Sequence, residues 1–243
     1  MEEFDYSLNN ETLEIFPAEF SVNPLVVYHG TTSYHSKNIE ENGFRVNTPP
    51  YNIDHVKILV ETLKSIDFSK YDVKKGVLNW TTSFGIEHYL DAIDKKEFRI
   101  SFSPVSYACV AYTKSQTKGG QAFRDIREAK AIIEFAIQND PSLEKKVPDE
   151  IPLLFSELNK VDNSQGIIYA VKLPKELTGI ECDLNNVVYA NRDIPKENII
   201  GKIHIPENPT ELEIEQNAIK QKIKSKLHGN GGLGVIIWRK QNE

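Results

Sequence analysis

The chain reads as an α+β protein. Helical spacings crowd its first part, extended apolar runs crowd its last, and no regular strand–helix–strand alternation points to a parallel sheet. Neither an internal repeat nor a low-complexity linker interrupts the order, so one domain over residues 1–243 is the simplest organisation.

Residues 1–24 read as an irregular lead-in that closes at Asn23-Pro24, because proline disfavours helix in the residue before it. Leu25-Val26-Val27-Tyr28 is a short apolar run of strand type, and His29-Gly30-Thr31-Thr32-Ser33 breaks it. A short helix follows from Tyr34 to Asn42, with Gly43 as its C-cap. Phe44-Arg45-Val46 resumes an extended chain before Pro49-Pro50. Across residues 53–68, Val56, Leu59, Val60, Leu63 and Ile66 recur at helical spacing and mark one buried face. Residues 76–83 read as strand and turn, with a helix after them from Ile86 to Ile93.

Phe98-Arg99-Ile100-Ser101-Phe102 alternates as a half-buried strand should. Ser103-Pro104 then starts a helix carrying Val105, Ala108, Cys109 and Tyr112, since serine suits the cap and proline the first helical position. Lys118-Gly119-Gly120 is a break. Arg124 to Asn139 is a helix with Ile126, Ala129, Ile132, Ile133 and Ala136 inward. Strands follow at 166–173, 186–190 and 199–205, with a turn and short helical step at 193–198. A polar helix from Glu211 to Lys226 and a glycine-rich turn lead to the apolar run Val235-Ile236-Ile237-Trp238.

Composition sets outer bounds. Hydrophobic residues make up 40% and charged residues 26% of the 243, an ordinary globular balance with enough chain to bury a substantial core. No stretch approaches the roughly twenty apolar residues of a membrane helix. The acidic start Met1-Glu2-Glu3-Phe4-Asp5 argues against a secretory signal peptide. Cys109 and Cys182 stand far apart without a CxxC or Cys/His companion, so neither a metal site nor a disulfide scaffold is expected, and a cytoplasmic location is the default. The net charge of −6 gives no overall attraction to phosphate backbones, yet leaves room for a local basic strip.

The chemistry centres on Val26-Val27-Tyr28-His29-Gly30-Thr31-Thr32. A histidine and a glycine stand where a strand stops pairing and its backbone can face a ligand. Glycine admits close approach to its N–H and C=O, which match a planar amide such as a carboxamide. The imidazole offers a nitrogen to a sugar hydroxyl, and Thr31 a further donor or acceptor. For an isolated His-Gly, the plainer reading is a strand-ending turn with a part-buried histidine.

Three segments together carry a resemblance. Tyr28-His29-Gly30-Thr31, followed by Ile39-Glu40-Glu41-Asn42-Gly43-Phe44, resembles the opening of the ADP-ribosyltransferase superfamily, in the branch that contacts NAD first through His. Ile100-Ser101-Phe102-Ser103-Pro104, with Ala108 and Tyr112 behind it, is similar to that family's second strand and helix, with Ser101 where many members have a stacking Tyr. Trp80-Thr81-Thr82-Ser83 is a competing position for this second motif. Residues 166–171, 183–189 and 193–199 resemble the closing strands of the bacterial enzymes. Glu181-Cys182-Asp183 is loosely similar to an acidic stretch of rifampin ADP-ribosyltransferases, and Asn185 and Asn186 stand where other transferases carry a catalytic Glu.

The resemblance implies a split antiparallel β-sheet core with flanking helices over about residues 25–205, and a C-terminal extension at 206–243. It implies NAD as co-substrate, held by Tyr28, His29, Gly30, Thr31, Ser101, Phe102, Ser103 and Tyr112, with His29, Asp183 and Asn186 as catalytic positions. Its activity is mono-ADP-ribosyl transfer to a protein or nucleic-acid acceptor, in the manner of a bacterial toxin, effector or anti-phage protein, with an antitoxin or immunity protein as a further partner. The reaction builds an oxocarbenium-like centre that a carboxylate stabilises. Asp183 is the first choice for that group, with Glu181 and Glu128 open, and a weak or altered enzyme is the remaining alternative. An RNA 2′-phosphotransferase on the same scaffold and a non-catalytic interaction module are the rival readings.

Two basic segments stand apart. Lys118 to Glu128, with Arg124 and Arg127, suits a substrate loop or phosphate clamp, or simply a solvated helix entry. Lys220, Lys222, Lys224 and Lys226 with His228 suit a nucleic-acid or partner contact, or the solvated face of a helix beside the mobile turn at 229–234.

Overall fold

The computed structural model describes residues 1–67, 90–91, 94–95, 97–114, 117–182, 187–207, 216–229 and 231–242. Its elements run β1 (Glu2–Phe4), α1 (Ala18–Ser21), β2 (Val26–Thr32), α2 (Ser33–Asn42), α3 (Ile53–Ser65), β3 (Ile100–Phe102) and a 3-10 turn (Tyr107–Thr113). They continue as α4 (Gln121–Asn139), α5 (Glu150–Asp162), β4 (Gly166–Lys172), β5 (Ile180–Cys182), β6 (Val188–Ala190), β7 (Ile199–Ile205), α6 (Gln216–His228) and α7 (Leu233–Asn242). The mixture of helices with open, mainly antiparallel sheets is α+β. The chain groups into two compact units, one of Met1–Asn47, Arg99–Ser115 and Ser164–Glu243, the other of Thr48–Phe98 and Gln116–Asn163.

The first unit holds both sheets. A four-stranded sheet has the order β1-β7-β4-β2, and a three-stranded sheet the order β3-β6-β5. Strand β4 is interior, and Ile167-Ile168-Tyr169-Ala170-Val171 is accordingly buried on both faces. β7 alternates buried with half-buried residues along Ile199–Ile205. Among the described residues, all strand pairings are antiparallel except β1 with β7.

The second unit is helical. α3 contributes Val56, Leu59, Val60 and Leu63, α4 contributes Phe123, Ile126, Ala129, Ile133 and Ala136, and α5 contributes Ile151, Leu154, Leu158 and Val161 to one apolar cluster. Each fully buried branched side chain in it contributes about 1.5–3 kcal/mol. The inward positions expected on α3 and α4 are buried, together with Thr62, Phe123 and Asp125.

Several boundaries differ from expectation. The first strand does not break at His29. It continues through Thr32, because all seven residues of β2 pair with β4, from Val26 opposite Lys172 to Thr32 opposite Gly166. The lead-in contains β1 and α1, and β1 is held by pairing with β7. The helix expected after Ser103-Pro104 is a 3-10 turn that starts only at Tyr107, because the Ser103 hydroxyl and the Val105 backbone close a local turn first. Of the helix predicted from Glu211, residues 211–215 lie outside the described residues, and the described part runs to His228, two residues past the expected end. The strand and turn expected at 76–83, the rival motif Trp80-Thr81-Thr82-Ser83 and most of the helix expected at 86–93 lie outside the described residues.

Candidate functional site

The two sheets of the first unit meet at one residue pair. The Tyr28 N–H donates to the Ser103 carbonyl at 2.8 Å, and the Ser103 N–H returns a bond to the Tyr28 carbonyl at 2.9 Å. The first and second sequence motifs are thereby adjacent. Pleating then divides β2: Val27, His29 and Thr31 face one way, Tyr28, Gly30 and Thr32 the other.

His29 sits at this junction, half-buried. Its Nδ1 lies 2.9 Å from the Ser101 carbonyl oxygen, and its ring meets Phe44 edge-on at 4.9 Å and Phe102 at 5.7 Å. A carbonyl only accepts, so Nδ1 carries the hydrogen and the neutral ring leaves a lone pair on Nε2. Desolvation lowers the His29 pKa, against the opposing pull of the Ser101 carbonyl, so the ring is neutral at pH 7. Nε2 is then an acceptor suited to a ligand hydroxyl rather than an acid. His35, from the first turn of α2, is pushed down to about 4, mainly by burial and further by the neighbouring His29.

His29 also ends a row of side chains across the four-stranded sheet. Register places Glu3 beside Lys202, Lys202 beside Tyr169 and Tyr169 beside His29. Glu40 of α2 closes the row from above, accepting from the Tyr169 hydroxyl at 3.1 Å and from Lys202 Nζ at 3.1 Å. These bonds tether α2 to the sheet next to the histidine. Sequence reading missed the row because its members belong to four strands and one helix, with no shared spacing.

The remaining predicted residues separate by environment. The Tyr28 side chain is fully buried and stacks on Phe16 at 5.3 Å, so only its backbone belongs to the junction. Thr31 is buried. Phe102 is buried as a wall of the histidine, whereas Ser101 is exposed and supplies the carbonyl. Tyr112 is exposed on the 3-10 turn. Asp183 and Asn186 lie outside the described residues.

Gly30 has a packing reason to be glycine. A Cβ there would stand 2.4 Å from the Cys109 carbonyl oxygen. The Cys109 thiol donates to the Tyr28 carbonyl at 3.3 Å and is also reached by backbone hydrogen bonds from Ser103 and Gly30. Burial above all pushes this thiol up to about 12, so it stays protonated. The free edge of β2 is covered there by the 3-10 turn.

The turn is itself anchored by a buried acid. Glu14, 2% exposed, accepts from the Ser106 N–H at 3.1 Å, from the Ser106 hydroxyl at 2.6 Å and from Lys226 Nζ. The Ile15 N–H donates to the Ser106 Oγ at 2.8 Å. The one readable signal was an acid inside the apolar run Leu13-Glu14-Ile15-Phe16. A nearby cavity of about 170 Å³ is lined by Asn23, Pro24, Pro104, Lys226 and Gly232, among others, none of them a predicted site residue.

The first and third motifs also touch. Gly43 ends α2 at φ 76°, and the Phe44 N–H and C=O pair with Ile194 at 2.9 and 2.8 Å. Arg45 Nη1 reaches Asp193 at 2.7 Å, and the Val46 N–H donates to the same carboxylate at 2.8 Å. Partial desolvation acts upward on Asp193, but these bonds outweigh it and hold its carboxyl below the usual range.

Of the candidate carboxylates, Glu181 is in the same unit as His29. Register sets Ser101, Tyr189 and Glu181 in one row across β3, β6 and β5, on the face opposite buried Ile100, Phe102 and Val188. Glu181 accepts from Asn191 Nδ2 at 2.7 Å and pairs with Arg99 at 3.2 Å. Two strand spacings put it about 10 Å from Ser101. Glu128 belongs to the second unit, where it pairs with Arg124 at 3.1 Å. Arg127 there holds Asp162 and the Lys118 carbonyl, so this basic segment spends its guanidinium groups on its own fold.

Searches against protein-family models, curated proteins and solved structures return no match to this chain. Among the described residues no cluster of His, Cys, Asp and Glu forms a metal site, and no helix is long and apolar enough to cross a membrane.

Proposed function

We propose that the first unit binds NAD at the junction of its two sheets and transfers ADP-ribose to a macromolecule, with release of nicotinamide. The observation that carries the reading is the His29–Ser101 bond. It fixes a neutral imidazole with Nε2 free to accept from a ribose hydroxyl, at the place where the two motifs of the ADP-ribosyltransferase resemblance meet. The division into four and three strands is compatible with the split sheet of that superfamily.

Among the candidate carboxylates, Glu181 is the described one in the sheet of Ser101, oriented by Arg99 and Asn191, and it is the proposed stabiliser of an oxocarbenium-like centre. For Gly30 to pair with the nicotinamide amide, Cys109 has to yield that N–H. The same contact favours a second reading, a non-catalytic module whose amide slot is closed.

Nicotinamide release from NAD by purified protein separates the two. The transferase reading expects slow turnover that His29→Ala abolishes and Glu181→Gln lowers by roughly a hundredfold or more, the scale of losing an electrostatic stabiliser. Turnover unchanged in both variants refutes the assignment. No turnover in the wild type, with NAD bound, supports the closed module.

A further inference from the structure

We propose that the outward face of α6 binds the sugar-phosphate backbone of a nucleic acid. From Gln216 to Asn242 the sequence carries six cations (Lys220, Lys222, Lys224, Lys226, Arg239 and Lys240) and neither Asp nor Glu, within a chain of net charge −6. Such a one-sided distribution is an electrostatic footprint for a polyanion.

The helix sorts its residues by angle. Ile219, Ile223 and Leu227 recur every four residues, with Leu227 fully buried and Ile223 packed against the core of the unit. Lys220, Lys224 and His228 form the next ridge, about 100° round the helix, all exposed, with exposed Asn217 and Gln221 beside it. Lys222 and Lys226 form a third row on the other flank of the apolar ridge, away from Lys220 and Lys224. Lys226 is committed to Glu14 and the Pro104 carbonyl, while Lys220, Lys222 and Lys224 make no ion pair or hydrogen bond with the described residues.

The like charges of Lys220 and Lys224 repel along the helix, since neither makes an ion pair with the described residues. A line of phosphates relieves that repulsion and releases its own counterions. The interleaved amides add hydrogen-bond donors for phosphate and sugar oxygens. A lipid surface fits less well, because the apolar ridge that would enter it is turned inward. A protein partner fits less well too, since the exposed ridge offers no aromatic or large apolar anchor.

As a binding surface this face is independent of NAD chemistry; as the seat of the acceptor, naming it a nucleic acid, it rests on the transferase reading. Binding alone is therefore the readout. Fluorescence anisotropy with labelled single-stranded RNA and DNA of mixed sequence is measured on the full chain across salt concentrations. Two phosphate contacts on a single strand, at Lys220 and Lys224, lower affinity about 7-fold between about 50 and 200 mM salt. The variant Lys220→Gln/Lys224→Gln is expected to lose at least about tenfold in affinity at low salt and most of that salt slope, with an unchanged far-ultraviolet circular dichroism spectrum.

Should the double variant fail to fold, Lys224→Gln alone is expected to flatten the slope by about 0.7 in log affinity against log salt. Absent oligonucleotide binding at low salt, a variant that binds as the wild type does, or preference for phosphatidylserine vesicles over oligonucleotide would each overturn the proposal. Loss of nicotinamide release with oligonucleotide binding intact would overturn the transferase reading and leave this surface standing.

Discussion

Replacing Lys226 by Met tests whether the turn behind the junction depends on a buried charge pair. Glu14 has a side chain only 3% exposed, and Lys226 one 20% exposed. Without the ammonium, Glu14 Oε2 keeps both bonds from Ser106, but Oε1 loses the partner it has in the native pair. Breaking a buried pair from one side costs about 3–5 kcal/mol, and the two surviving Ser106 bonds put the expected value near the lower end, about 3 kcal/mol. For a chain of this size that is a fall of roughly 6–12 °C in the melting temperature. Arg45→Ala is the control, since the Arg45–Asp193 pair is about half exposed and its loss should cost under about 1 kcal/mol. Adding Glu14→Gln to Lys226→Met removes the stranded charge and should return most of the stability. Urea denaturation followed by far-ultraviolet circular dichroism measures all four proteins. A Lys226→Met cost no larger than that of Arg45→Ala, or a double variant less stable than the single, would refute the buried-pair reasoning.

Two further outcomes follow from local geometry. Gly43→Ala should destabilise by about 2–4 kcal/mol in the same denaturation experiment, because its φ of 76° and ψ of −167° suit only glycine and a Cβ would stand 2.2 Å from the Ile194 carbonyl oxygen. Asp125 is buried on α4 and held mainly by desolvation at a pKa of about 6, above its ordinary 3.8, with a bond from Gln121 at 3.0 Å opposing the rise. A raised carboxyl penalises the ionised folded state, so its contribution should stabilise the protein as pH falls from 7 through 6 towards 4, by at most about 3 kcal/mol. Asp125→Asn should abolish that component and raise stability at pH 7; an unaltered pH profile of denaturation midpoints would contradict it.

Periodicity made much of this fold legible. The alternation and apolar runs placed β2, β3, β4 and β7, and the spacing of Val56, Leu59 and Val60 or Ile126, Ala129 and Ile133 located the faces of α3 and α4. Glycine chemistry placed the end of α2 at Gly43. Pairing was not legible. His29 read as the end of a strand because polar residues follow it, yet a seven-residue register with β4 carries the strand to Thr32. Strand β5 is three residues long and depends on β6, and α5 was not anticipated at all. In the site, local motifs identified His29 and Ser101 but not the carbonyl bond that joins them, which is a contact between residues 72 apart in sequence. Gly30 was read as an opening for a ligand amide, whereas its missing side chain faces the Cys109 backbone. The anchoring acid Glu14 and its partners Ser106 and Lys226 come from three distant segments and carry no common pattern.

Calorimetric titration of NAD into the wild type and into His29→Ala bears most directly on the account. Saturable one-to-one binding to the wild type, weakened at least about tenfold when the imidazole is removed, is the predicted result, since an acceptor to a ribose hydroxyl in a partly desolvated site is worth about 1.5 kcal/mol or more. NAD that fails to bind the wild type, or that binds the variant equally well, would contradict it.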